Sequence, residues 1–320
     1  MVECHLAKVK VAGSNPVSRS NNPLNFRRRI VLRIYADLCA LQTRQITKGY
    51  TMKNLYSNKP VSTYTCRRVH QPIEINGDLT KDVWRSCEKS TRFVDVIDGA
   101  PALYDSRAAM LYDDENLYIS FWCEEPFVRA SLTERDSLVF AENDIEVFID
   151  GGETYYEFQL NALNTIYEVF YIWKDSYQRG GKYDIPEFDL LNAQTFGGNH
   201  DRKNEYFWEG AHPRGLRYIY RDWDFPGLKT AVCIDGEINR DDKPSRGWTA
   251  EIAFPWSGMK WLRDGKTTAP SAGEQMRLCL CRYQILRING QETQVGWAID
   301  EVGTNDNHAP ERFTNIVFAE

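Results

Sequence analysis

Between Phe140 and Asn161 the sequence F-A-E-N-D-I-E-V-F-I-D-G-G-E-T-Y-Y-E-F-Q-L-N gathers carboxylates, carboxamides and rings at two-residue spacing. Glu146 and Glu157 could supply the acid and base of a glycoside hydrolase, chemistry that needs two carboxyl groups about 5–10 Å apart across the scissile bond. The same acids, with the amides of Gln159 and Asn161 and the aromatics of the same stretch, could instead hold a polyhydroxylated ligand without breaking it. Rings cover the C–H faces of a sugar, and charge-assisted hydrogen bonds fix its edge. A solvated sheet face would carry Lys, Thr and scattered charge. The mixture found here favours binding, because no residue pattern marks one acid for a raised pKa. A nucleophilic triad has no support, since the five histidines accompany no G-x-S-x-G elbow.

These groups need strands to hold them. From Asp144 to Asp150 the alternation puts Ile145, Val147 and Ile149 on one face and Asp144, Glu146, Phe148 and Asp150 on the other. Gly151-Gly152 makes a hairpin connection. The next run separates Tyr156, Phe158 and Leu160 from Tyr155, Glu157, Gln159 and Asn161, so one polar ledge spans both strands. Thr165 to Trp173 continues the meander.

The composition fits such a fold. Aromatic residues make up 13% of the 320 residues, with nine Trp and seventeen Tyr, as β-sheet cores and flat ligand platforms require. Residues 1–51 carry nine Lys and Arg against Glu3 and Asp37, which leaves the remainder at −13 within the total of −6. An acidic body argues against nucleic acid, which demands clustered Lys and Arg. The eight cysteines show no C-x-x-C pair, so a zinc site is not expected. Cys279 and Cys281 share a strand face as packing residues.

Residues 1–51 show no sustained periodicity. Ile30–Leu41 is interrupted by Arg33 and Asp37, so it is neither a membrane span nor a signal-peptide core. Gly13-Ser14-Asn15-Pro16 matches the peptide read from the T-arm of a transfer-RNA gene. The segment is expected to be an upstream or disordered extension, with translation beginning at Met52.

From Tyr64 onward short strands and turns recur. Asp78–Trp84 is expected to form one helical turn that buries Trp84. Ser106–Leu111 and Leu117–Cys123 form a hairpin about the turn Asp113-Asp114-Glu115. Leu228–Asp235, Gly247–Phe254, Met276–Gln284 and Phe313–Phe318 supply further strands, and Pro255 starts a short helix at W-S-G-M-K-W-L. The region from Asp175 to Pro226 lacks periodicity but holds Trp208, Trp223 and Tyr206, as an ordered loop packed over the domain would. The expectation is all-β: one antiparallel sandwich of immunoglobulin-like or jelly-roll type over residues 60–320, with a long aromatic-rich loop.

Six pieces recur in order: P-I-E-I-N-G-D-L-T-K-D-V-W, L-Y-D-D-E-N-L-Y-I-S-F, N-D-I-E-V-F-I-D, Y-Y-E-F-Q-L-N, G-W-T-A-E-I-A-F-P-W and P-E-R-F-T-N-I-V-F. Together they resemble the family 9 carbohydrate-binding module, a β-sandwich related to the DOMON superfamily. The resemblance implies non-catalytic binding of a mono-, oligo- or polysaccharide, in polysaccharide recognition or catabolism. It implies two rings clamping a terminal sugar and Ca²⁺ supporting the fold. The first clamp position falls on Phe140, the motif's carboxylate on Glu146 and a ligand-facing polar residue on Gln159. The second clamp position falls at Asn307 and His308, where the family has Trp. Either the long loop supplies that ring through Trp208, Trp223 or Tyr206, or His308 is a weaker platform. The loop is the preferred source. Asp113, Asp114 and Glu115 offer oxygens for Ca²⁺. A DOMON-type haem site would need axial ligands, and His70, His200, His212 and His308 show no informative spacing.

Overall fold

The computed structural model describes residues 4–5, 56–197, 212–288 and 290–320. Met52 and most of the 1–51 extension lie outside the described residues, as do His200, Tyr206 and Trp208. The strands are β1 (Cys4–His5), β2 (Thr63–Arg68), β3 (Val94–Asp95), β4 (Ser106–Tyr112), β5 (Asn116–Glu124), β6 (Asp144–Asp150), β7 (Thr154–Asn161), β8 (Ile166–Trp173), β9 (Gln194–Phe196), β10 (Arg217–Tyr220), β11 (Lys229–Asp235), β12 (Gly247–Pro255), β13 (Gln275–Ile288), β14 (Gln291–Ala298) and β15 (Thr314–Ala319). Among the described residues one short α-helix, α1, spans Asp82–Ser86.

Hydrogen bonding runs in the order β1-β11-β12-β5-β4-β2-β15-β13-β6-β7-β8-β10-β9, with β14 joined to β13 and β3. This path folds into two facing halves, β11-β12-β5-β4 against β13-β6-β7-β8. Phe254 of β12 meets Phe158 of β7 edge-on with ring centroids 5.6 Å apart, and Tyr156 at 6.2 Å. Ile145, Val147, Ile149, Leu160, Phe121, Ala250 and Ile252 fill the same core. Each Val, Leu, Ile or Phe among them contributes roughly 1.5–3 kcal/mol by burial. The alternation in β6 and β7 thus places the apolar set on the inner face, as its two-residue period requires.

The protein is an all-β sandwich, as expected, and two of its pairings are parallel. β15 pairs parallel with β2, and β2 with β4. Parallel neighbours need a long crossover rather than a hairpin. Here β2 comes early in the described body and β15 comes last, so the whole intervening domain is the connection. The expected helix after Pro255 is also shorter than its sequence suggests. β12 continues through Pro255, and only a single 3₁₀ turn, Trp256–Gly258, follows.

Both outer faces are covered. Trp84 of α1 lies with Ile73 and Leu79 over Ala109, Leu111, Tyr118 and Ala253 on the first half. The carboxylate of Glu251 fastens this cover. It accepts from the backbone N–H of Asn76 and Gly77 at 2.9 and 3.0 Å, from Lys81 Nζ at 2.6 Å and from Trp84 Nε1 at 2.6 Å. Gly77 sits at φ +79°, and a Cβ there would lie 2.8 Å from the Val232 carbonyl carbon. That is why the N-G-D turn carries glycine. On the second half, Val96, Val139, Ala298, Val302, Ala309 and Phe313 cover Phe148, Tyr155, Tyr167, Val169, Tyr171 and Trp173.

Candidate functional site

The polar ledge lies on that covered outer face. The antiparallel register sets Glu146 opposite Gln159, Phe148 opposite Glu157 and Asp144 opposite Asn161. On the flanks, Cys281 of β13 faces Glu146, and Tyr167 of β8 faces Gln159. Side chains two apart along a strand share a face, so Glu157 and Gln159 are neighbours on β7. The Gln159 amide nitrogen donates to Glu146 Oε1 at 2.9 Å and to Glu157 Oε1 at 2.7 Å. The two acids are close enough for hydrolytic chemistry, but the amide fills the gap where a scissile bond would lie.

The row is almost closed to solvent. Glu146 and Glu157 are each 4% exposed and Gln159 1%. Burial pushes Glu146 up to about 8, with the Glu157 carboxylate adding to it. Hydrogen bonds from Cys281 and Asn307 oppose the rise. Glu146 is therefore mostly protonated near neutrality. Burial also raises Asp144 well above the usual carboxylate range, and both of its oxygens lack a hydrogen-bond partner.

The two clamp positions stand at opposite ends of this row. Phe140 is half-buried and meets Tyr167 edge-on at 5.6 Å, beside Gln159. His308 lies at the other end, 5.2 Å from the Phe148 ring, 5.3 Å from Tyr171 and 4.6 Å from Phe196. Its Nδ1 is 3.1 Å from the Tyr155 hydroxyl, and its Nε2 lies 4.0 Å from Glu157. Burial lowers the His308 pKa, although Asp306 and Glu157 pull it upward. Tyr171 donates its hydroxyl hydrogen to Glu157. The Asn307 amide nitrogen reaches Cys281 Sγ at 3.0 Å, the Tyr283 hydroxyl at 3.2 Å and Glu146 Oε2 at 3.4 Å. Tyr155 and Tyr171 stack at 4.3 Å, forming an aromatic floor between β7 and β8.

The structure thus brings together Phe140, Glu146, Gln159 and His308. It places three other expectations differently. Asn161 spends its side chain on the β7–β8 turn: Nδ2 donates to the Leu132 carbonyl and Glu142, and Oδ1 accepts from the backbone of Leu163 and Thr165. Trp223 belongs to the inner core against Tyr156 and Phe170, on the opposite side of the sheet, with Nε1 donating to Glu187 at 2.8 Å. It is not the second ring of this face. Trp208, the other loop candidate, lies outside the described residues. Asp113 closes its own turn, accepting from the backbone of Glu115 and Asn116 and from the Tyr118 hydroxyl, while Asp114 pairs with Arg68 and Glu115 is exposed. Among the described residues no group of three or more His, Cys, Asp and Glu is arranged to hold a metal ion.

Several polar groups of the face had not been singled out. Tyr171 and Tyr283 come from strands whose alternation points them to the ledge beside Tyr155, a signal present in the sequence. Arg217 and Arg221 come from β10 and its end. The more open grooves lie elsewhere, about 420 Å³ beside His70 and Lys81 and about 490 Å³ beside Tyr56 and Glu301. Neither gathers the acids and rings that mark the ledge, so chemistry rather than openness selects the site.

No protein-family model matches the chain, and no curated protein matches it. Among solved structures it is similar to a protein from Bacteroides uniformis ATCC 8492 proposed to bind carbohydrate, at 13% identity and TM-score 0.49, covering 81% of this chain and 100% of that one. It is also similar to a family 9 carbohydrate-binding module from Caldicellulosiruptor kristjanssonii. The complex of that module with cellotriose gives 13% identity, TM-score 0.43 and coverage of 80% and 93%; the complex with glucose gives 12%, 0.44, and 81% and 96%. These are likenesses of fold.

Proposed function

We propose that the outer face of β13-β6-β7-β8 binds a saccharide without catalysis, in the recognition or breakdown of polysaccharide. The observation that carries this reading is a surplus of buried acceptors. Gln159 Oε1 and Asn307 Oδ1 have no hydrogen-bond partner, although both residues are nearly inaccessible. A buried acceptor left unmade costs about 1–3 kcal/mol, so these atoms suit a ligand that brings hydroxyl donors. Phe140 and Phe196, half-buried at the two ends of the row, supply rings for sugar C–H faces. The six sequence motifs are consistent with this assignment, two of them forming the ledge itself. Hydrolysis fits less well, because the Gln159 amide occupies the interval between the acids.

Glycan-array screening followed by calorimetry on the wild-type protein and the Phe140→Ala and Gln159→Leu variants tests the proposal. Both substitutions should weaken the best glycan at least tenfold. Unchanged affinity in both, or no glycan bound at all, would overturn it, and release of sugar from a polysaccharide would establish the hydrolase instead.

A further inference from the structure

Arg217 brings a cation into this face, where its charge acts on Tyr155 and His308 together with those of Asp306 and Glu157. It is fully buried. Its Nε donates to the Tyr155 hydroxyl at 3.0 Å and its Nη1 to the Gly215 carbonyl at 3.1 Å, but its Nη2 has no hydrogen-bond partner among the described residues. The guanidinium lies 4.8 Å from the Trp173 and Phe196 ring centroids. Guanidinium does not deprotonate in proteins, so the group stays cationic. Ring faces offset only part of the desolvation of a buried cation. No ion pair among the described residues includes Arg217. Arg221, just past the end of the same strand, donates to the Tyr167 hydroxyl, and no ion pair among the described residues includes it either.

The unpartnered atoms divide by position. On the β13-β6-β7 side they include the acceptors Gln159 Oε1 and Asn307 Oδ1. On the β10 side the unpartnered atom is the Arg217 donor. Tyr155 links the ends, since its hydroxyl accepts from Arg217 and contacts His308, which neighbours Glu157. A neutral sugar would supply hydroxyls to the acceptors and leave the cation unmatched. An acidic oligosaccharide, with an anion on one residue and hydroxyls on its neighbours, matches both ends, since the register sets Gln159 opposite Tyr167 and Arg217 opposite Trp173, further along β8. The planar guanidinium is suited to a planar carboxylate.

We propose that the saccharide bound here is an acidic oligosaccharide, with the carboxylate of one uronic acid residue held by Arg217 while hydroxyls of neighbouring residues meet Gln159 and Asn307. This rests on the saccharide-binding reading above and names its ligand class.

Calorimetry on the full chain at pH 7 with matched ligands tests it: glucuronic and galacturonic acid oligomers, their methyl esters, the corresponding neutral glucose and galactose oligomers, and sulfated neutral oligomers. The free uronate should bind at least tenfold more tightly than its ester or neutral counterpart, and raised salt should erode that preference. Arg217→Met, checked for folding by urea midpoint, should abolish it, with Arg217→Lys recovering part. The ester comparison uses the wild-type protein, so it decides the matter even if the arginine variants fail to fold. Equal affinity for ester and acid, or preference for the sulfated sugar over the uronate, overturns the uronate assignment while saccharide binding stands. Failure of every saccharide, neutral and charged, overturns both.

Discussion

Glu146 and Gln159 face each other across β6 and β7, and the Gln159 amide nitrogen donates to the Glu146 carboxyl at 2.9 Å while holding Glu157 at 2.7 Å. Two acids share one donor in a closed layer, so one acid is better off protonated. The consequence is a definite pH dependence. Burial and Glu157 raise Glu146 from its ordinary 4.5 to about 8. A raised carboxyl pKa gives stability that is complete below the unfolded value and is lost as pH rises through the folded one. Between pH 5 and 8 the unfolded chain ionises Glu146 while the native state keeps its proton. The wild-type unfolding free energy should therefore fall relative to Glu146→Gln by up to about 1.4 kcal/mol per pH unit, levelling off above pH 8. His308 acts in the opposite sense, its lowered pKa removing stability only as pH falls through 6.5 and below. Urea titrations from pH 7 to 9 isolate the glutamate, and parallel wild-type and variant curves there would show that Glu146 is ionised throughout.

Glu251 is the counter-example on the other half: a buried carboxylate with four donor groups around it. Each oxygen accepts at least two hydrogen bonds, so Glu251→Gln turns an amide N–H₂ toward existing donors. A loss of about 3–5 kcal/mol is expected for Glu251→Ala, as for breaking a buried pair, and at least about 2 kcal/mol for Glu251→Gln. The readout is the urea midpoint together with tryptophan fluorescence, because Trp84 loses its partner. A change within about 0.5 kcal/mol would mean that the N-G-D turn and α1 are held by packing alone.

Asn161 shares the ledge's phase but not its role. With four hydrogen bonds to the turn and to the segment around Leu132, Asn161→Ala should cost about 2–4 kcal/mol of stability. Glycan affinity of the folded fraction should stay within threefold of wild type. A tenfold loss of affinity at unchanged stability would return Asn161 to the ligand.

These cases show what the sequence could and could not reveal. The two-residue period of Asp144–Asn161 was enough to assign faces and register, because one wrong step would have exchanged the inner core for the ledge. It could not reveal that the ledge is covered, since Asn307 and His308 arrive from more than 140 residues away. The four residues R-Y-I-Y of β10 are too short to display alternation, so Arg217 went unnoticed. The Q-E-T-Q start of β14 is exposed on a hairpin paired only with β13, so it has no buried face to pattern. An aromatic residue in an aperiodic region carries no sign of which side of a sheet it joins, which is why Trp223 could be mistaken for a ligand ring.

Trp223 and Phe140 provide the sharpest contrast between packing and recognition. Trp223 is 7% exposed, wedged against Tyr156, Phe170 and Phe225, and anchored through Nε1 to Glu187. Trp223→Ala opens a large cavity in the inner core and should lower stability by about 3–5 kcal/mol, leaving the affinity of the folded fraction unaltered. Phe140 keeps part of its ring in solvent and leans on Tyr167 alone among the described rings. Phe140→Ala should cost only about 1 kcal/mol in urea, since little area is re-exposed, yet reduce glycan affinity at least tenfold. Measuring both quantities on both variants separates the roles. If Trp223→Ala loses affinity at intact stability, the ligand occupies the inner side of the long loop, and the ledge is a structural polar layer closed by His308 and Asn307.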